Sequence, residues 1–230
     1  MKPTPQSAQA KTLDRSQVVA EALHLVNQEG FDRLTMRNLA ARLGVVPMAL
    51  YRHVTNKEEL IDAVFELALS DIKLPDPDLT WRPGLDALAR AIRELLLEHP
   101  PLAVEVVGRP TLGPASLRIA EYGYRVMRTS GFSDIDTNGG INTLVTYVIG
   151  FTALEVPRRH SVGANPPPDL SKLQSLYADL PADQFPHTVQ LQPQVEGLVT
   201  PEQFDHGLTT LLDGLEHRLQ DSKNAASQCR

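Results

Sequence analysis

The chain has 230 residues, a formal net charge of −6 and one cysteine, Cys229. That length can bury a sizeable core as one large domain or two smaller ones, and a lone cysteine excludes an internal disulfide. The longest apolar stretches break within a dozen residues and the N-terminus lacks the apolar core of a secretory signal, so a cytoplasmic protein with no membrane partner is expected.

Charge is unevenly spread. Residues 1–57 carry eight Lys/Arg against four acids, a local +4, and the remainder carries 14 basic and 24 acidic groups, a local −10. A basic N-terminal module on an acidic body fits a protein that meets phosphates at one end only.

In chain order, residues 1–12 are rich in Pro, Gln and Ser and predict a disordered tail. Asp14 with Gln17 forms a capping pair, followed by Val18, Val19, Ala22, Leu23 and Val26 at helical spacing up to Gly30. Thr35 can cap a second helix with Leu39, Ala40 and Leu43 on its apolar stripe, and Gly44 supplies a left-handed corner. Pro47 suits the first turn of a third helix, barely two turns long. A 100° step per residue puts Val46, Leu50 and Val54 on its inner side and Met48, Tyr51, Arg52 and Thr55 on its outer side. So short a helix needs its neighbours for support, and its outer face is free for a target. Residues 35–57 therefore predict a helix-turn-helix aimed at the DNA major groove. Asn56 with Glu59 is a second capping box, opening a linking helix through Leu60, Val64, Leu67 and Ala68.

Pro75–Thr80 is the clearest break, giving expected domains over 13–74 and 80–221. Beyond it, Leu85, Leu88, Ala89, Ile92, Leu95 and Leu96 share one helix face that ends at Pro100 and Pro101. A helix from Pro114 to about Thr129 follows, and then one from Asp136 to Glu155 that is apolar nearly all round and predicted to be centrally buried. Residues 157–199 hold seven prolines and read as a long irregular segment, with one short helix near Leu170–Ala178. The last helix runs from about Pro201 to Leu219. No strand is predicted, and the fold class is all-α.

Arg52 can reach guanine or a phosphate, Tyr51 can donate to a phosphate, and Met48 and Ala49 offer methyl surface to thymine. Gly207 and Gly214 lie on one face of the last helix with Thr210 between them. Each interior glycine costs about 1 kcal/mol relative to alanine, so another helix is expected to come close there, from a second subunit or from the same one. The seven histidines show no metal-ligand spacing, and nucleophile-elbow, P-loop and dinucleotide patterns are absent. No catalytic set, cofactor or metal site is predicted, and the chain is not read as an enzyme.

The run from Asp14 to Phe65, above all Leu50-Tyr51-Arg52-His53-Val54 and Asn56-Lys57-Glu58-Glu59-Leu60, resembles the tetracycline-repressor (TetR) family. Gly108-Arg109-Pro110-Thr111 and Phe204 to Leu215 resemble the regulatory domain of the tetracycline repressors themselves. The resemblance implies a homodimeric, ligand-responsive transcriptional regulator, a repressor that binds a palindromic operator. It adds Thr35, Arg37, Pro47, His53 and Lys57 to the DNA contacts, with Thr35 and Lys57 gripping the backbone. At Met48 and Ala49 the chain departs from repressors that carry polar base-reading groups, so their operator sequence does not carry over. It also implies a dimer interface through the last helix, including Gly207, Thr210, Leu211 and Gly214, and the helix before the Pro-rich segment. Where tetracycline repressors place metal-binding histidines, this chain has Glu105 and the Ile72–Lys73 pair, which points to a small organic effector held without an obligatory metal. The expected pocket comprises Leu88, Ile92, Glu105, Arg109, Glu121, Tyr147 and Phe151. The alternative is a helical small-molecule-binding protein or enzyme on the same fold without operator binding.

Overall fold

The computed structural model describes residues 13–107, 109, 113–160, 179–191 and 199–228. The expected tail at 1–12, the Gly108, Pro110 and Thr111 positions, the short helix near Leu170–Ala178 and Cys229 lie outside the described residues. Contacts divide the chain into two compact units, Met1–Asp71 and Ile72–Arg230. The boundary falls four residues ahead of Pro75. All regular structure among the described residues is helical.

The first unit holds α1 (Arg15–Glu29), a 3-10 turn (Phe31–Arg33), α2 (Met36–Leu43), α3 (Pro47–Leu50) and α4 (Lys57–Ser70). Its helices begin and end at particular side chains. Asp14 and Gln17 close a reciprocal capping box on α1. The Thr35 hydroxyl accepts the Asn38 N–H at 3.1 Å to start α2, and Gly44, at φ 68° and ψ 29°, ends it in the left-handed conformation. Asn56 caps α4 through the Glu59 N–H, but Glu59 does not complete the predicted box. Its carboxylate accepts instead from the Thr55 N–H at 2.6 Å and the Thr55 hydroxyl at 2.7 Å, which, with Arg15, hold its pKa below the usual carboxylate range. Leu25, Val26, Leu34, Leu39, Leu50, Val54, Leu60 and Val64 fill the core between these helices.

Gly44 provides a direct test of this corner. A Cβ there would meet nothing within 4 Å, so any cost of adding one is backbone strain alone. Gly44→Ala is expected to destabilise the first unit by about 1–2 kcal/mol in urea unfolding. A variant as stable as the parent would mean that the turn is not held left-handed.

The second unit comprises α5 (Trp81–Glu98), α6 (Pro100–Glu105), α7 (Pro114–Thr129), α8 (Asp134–His160), α9 (Pro186–Leu191) and α10 (Pro201–Gln228). The sequence reading did not foresee α6, and placed α9 inside an irregular segment. Pro100 and Pro101 stop α5, yet both are tolerated in the first turn of α6, where an N–H has no partner to lose. α8 extends past Glu155 to His160, and α10 past Leu219 to Gln228. Helix α8 packs against α5, α6, α7 and α10. Over Asp134–Val156 it is long and apolar enough to cross a membrane by composition, with a mean hydropathy of 1.2, which corrects the sequence-based exclusion of any such run. Its packing is that of a core helix with one bare face.

That bare face corrects a second expectation. Ile141, Leu144, Val148, Thr152 and Glu155 are buried, but Ile135, Gly139, Asn142, Thr143, Thr146, Gly150 and Leu154 are exposed. Periodicity could not reveal it, because Gly, Thr, Ile and Leu suit a buried surface as well as an interface.

Three side chains of α7 fasten the start of this unit. Arg118 donates to the Ile72 carbonyl at 3.1 Å, the Tyr122 hydroxyl to that of Asp76 at 3.1 Å, and Arg125 to that of Pro77 at 3.0 Å. They recur at positions i, i+4 and i+7, so a single helix face captures the whole Ile72–Pro77 segment.

Candidate nucleic-acid interface

The head presents a basic face whose composition follows from which cations are already spent. Arg42 donates to Glu21 at 2.6 Å, to Glu29 at 3.1 Å and to Gln28 at 2.9 Å, and the Glu21 hydrogen bond foremost raises its pKa. Arg15 pairs with Glu59 at 3.2 Å and Arg33 with Glu29 at 3.4 Å. Among the described residues, Arg37, Arg52 and Lys57 have no carboxylate partner. All three are exposed, as are Thr35, Pro47, Met48 and Tyr51, while Ala49 and His53 are half-buried. The Thr35 hydroxyl spends one lone pair on its cap and keeps its proton to donate.

Leu50 and Val54 are fully buried and pin this face to the head, as the helical spacing predicts. Val46 departs from it. It is the N-cap of α3, with extended backbone at φ −79° and ψ 147°, and 68% of its surface is exposed. The 100° step applies only within the helical ladder, and Val46 stands one residue before it. The regular α3 is also shorter than predicted: Pro47–Leu50 is one turn, continued to Val54 by hydrogen bonds from His53 and Val54 to the Leu50 carbonyl at 2.8 and 3.1 Å.

In the second unit the predicted pocket residues do not all converge. Leu88 and Ile92 lie buried on the inner stripe of α5. Glu105 and Arg109 face each other at 3.8 Å. Tyr147 and Phe151 join Phe204 in an aromatic cluster, with ring centroids 5.4–5.8 Å apart. The Tyr147 hydroxyl donates to the Phe204 carbonyl at 2.8 Å, and burial raises its pKa. Tyr147 is thus engaged with α10. Glu121 is a correction: it is exposed, on the side of α7 away from the buried Ala115, Ile119, Tyr122 and Val126. One residue step, 100° around the helix, separates it from the buried Tyr122 and turns it to solvent.

The sequence reading missed Arg93 and Glu155. They form a bidentate pair at 3.0 and 2.7 Å, with side chains only 13% and 2% exposed, and the Arg93 guanidinium sits 4.5 Å from the Phe204 ring centroid. The available signal was a single acid inside the apolar run of α8. Among the described residues no three His, Cys, Asp or Glu side chains gather as a metal shell.

At Gly207 a Cβ would run into the Tyr147 hydroxyl of the same chain, so one close neighbour of that glycine lies within the subunit. A Cβ at Gly214 would meet nothing within 4 Å. Gly214, Thr210 and Leu211 instead border a shallow groove of about 440 Å³ with Gly139, Thr143 and Arg218.

A helix-turn-helix head with an unpaired basic face, followed by a helical body, defines the class, and comparison with known proteins identifies the family. Residues 18–64 match the family model described as bacterial regulatory proteins, tetR family, and residues 74–219 the one described as tetracyclin repressor-like, C-terminal domain. The chain belongs to the TetR family. An HTH-type transcriptional regulator of Saccharopolyspora erythraea is 29% identical over 218 residues, covering 93% of this chain and 89% of the relative. The HTH-type transcriptional repressor DrrR1 of Streptomyces coeruleorubidus is 31% identical over 214 residues, covering 89% and 77%. Among solved structures, apo ActR from Streptomyces coelicolor superposes with a TM-score of 0.83 at 29% identity over 92% of this chain and 98% of its own. ActR in complex with actinorhodin gives 0.81 at 30% identity over 89% and 96%.

Proposed function

We propose that this chain is a ligand-responsive transcriptional repressor that binds a palindromic operator as a homodimer and is released by a small organic effector. The observation that carries the reading is the sorting of charge on the head. The cations inside it are neutralised by acids, whereas Arg37, Arg52 and Lys57 stand free around the exposed outer side of α3. The reading makes the protein a regulator rather than an enzyme, acting in the cytoplasm where its DNA lies. Tyr51, Thr35 and Lys57 hold phosphates, with Arg37, Pro47 and His53 at the edges of the contact, and Arg52 reaches a base or phosphate.

Binding of the full-length protein to selected and random duplexes, measured across a salt series, tests this. Lys57→Ala is expected to weaken all sequences alike and lower the salt slope by about one. Arg52→Ala, reading a base, is expected to cost about 1–3 kcal/mol and relax preference at one position per half-site. Equal affinity for selected and random duplexes at moderate salt would sink the repressor reading.

The dimer is assigned to the bare face of α8 and the adjoining face of α10. Two of its hydroxyls are already satisfied: Thr143 donates to the Gly139 carbonyl at 2.7 Å and Thr210 to that of His206 at 2.9 Å. Burying those two orphans no donor. A two-fold dimer then reads half-sites whose centres lie about 34–36 Å apart or a multiple of that.

For the effector, the complex of the similar protein ActR with actinorhodin supports an organic ligand. Glu105, with Arg109 beside it, stands where the tetracycline repressors hold a metal through histidine. Effector binding is therefore expected to survive EDTA, and to change operator affinity by about 5- to 150-fold with an equal reciprocal effect. Calorimetry of an effector found by screening checks this: binding abolished by the chelator and restored by magnesium would defeat it.

A further inference from the structure

We infer that the base-reading part of this interface is apolar, and that the operator presents thymine C5-methyl groups to Val46 and Met48. The inference rests on the operator reading above and concerns what that surface recognises. From Val46 to Leu50 the chain runs Val-Pro-Met-Ala-Leu, and no side chain in this stretch can donate or accept a conventional hydrogen bond. Val46 is 68% exposed and Met48 72%, whereas Leu50 is wholly buried and holds the turn in place.

Two large apolar side chains so exposed, two positions apart, lose nothing by meeting an apolar partner and much by covering a polar one. In the major groove guanine, adenine and the cytosine amino group offer donors and acceptors, and an aliphatic side chain laid on these would desolvate them without replacement. Thymine is the base that places a methyl group on that edge. The free cations Arg37, Arg52 and Lys57 around the patch complement a polyanion and fix duplex DNA as its occupant, in preference to an apolar protein face. Arg52 and Tyr51 then supply the polar contacts, and Val46 with Met48 select T·A pairs by methyl burial.

The test uses the full-length protein and a duplex selected by it from random-sequence DNA. Each thymine is replaced in turn by deoxyuridine, which removes the methyl group and leaves every hydrogen-bonding edge intact. At one or two positions per half-site the affinity is expected to fall about fourfold, the worth of one buried methyl, and about fifteenfold when both half-sites are changed. Val46→Ala and Met48→Ala should shrink that preference for thymine over uracil, whereas Arg52→Ala should weaken both duplexes alike. Uracil duplexes bound as tightly as thymine duplexes at every position, or a thymine preference that survives in the Val46→Ala/Met48→Ala double variant, overturns the inference while leaving operator binding intact. If selection returns no preferred sequence, the operator reading itself fails and this inference with it.

Discussion

Glu155→Ala is expected to destabilise the second unit by about 3–5 kcal/mol, because it strands a guanidinium whose side chain is only 13% exposed. Arg93 keeps both hydrogen bonds of its fork on Glu155, and its plane lies over Phe204. The pair therefore ties α5, α8 and α10 together at one point. Forming it offsets two desolvations, so its net contribution is modest; removing one partner exposes the whole cost of burying the other. Replacing both with apolar groups of similar size, as in Arg93→Met/Glu155→Leu, is accordingly expected to recover most of the loss. Urea unfolding of the full chain measures each variant. A Glu155→Ala protein within 1 kcal/mol of the parent would show that water reaches the pair and that its burial carries no energetic weight. A double variant as unstable as the single one would mean the pair supplies something beyond charge compensation, such as register between α5 and α8.

How much of this was legible in advance differs between local and distant features. The head was readable because its determinants are local: Asp14, Thr35, Gly44, Pro47 and Asn56 act within four residues of themselves, and each sits where its chemistry requires. The helix-turn-helix followed from them. The exposure of Val46 was not readable from spacing, because helical geometry assumes that a residue belongs to the ladder and Val46 is only its cap. The Arg93–Glu155 pair joins residues 62 apart, and nothing in either local sequence names the other. Glu121 was misplaced for a related reason. A helix face is known from its periodicity only to within about one residue step, and that step separates the buried Tyr122 from the exposed Glu121.

Gly207 and Gly214 separate two effects that sequence alone could not, and their leucine variants are expected to fail in different ways. Both lie on one face of α10, seven residues apart, yet Tyr147 of the same chain occupies the space beside Gly207 while the space beside Gly214 is open. Gly207→Leu must displace Tyr147, break its hydrogen bond to Phe204 and disturb the aromatic cluster, so it should destabilise the subunit itself by about 1–3 kcal/mol in urea unfolding. Gly214→Leu meets nothing in its own chain, and replacing a helix-interior glycine by leucine favours the isolated helix by up to about 1 kcal/mol. If a second copy packs on the α8–α10 face, however, two-fold symmetry brings the added bulk in twice. At about 1–3 kcal/mol per site the dimer should weaken by about 2–6 kcal/mol in total, with operator affinity falling alongside and the head untouched. Sedimentation across a concentration series, read beside operator binding, separates the outcomes. A Gly214→Leu protein that is folded, more monomeric and a poor operator binder supports the assigned interface. One that remains a tight dimer with parental operator affinity would move the interface away from α10, since no packing in its own subunit hides the change.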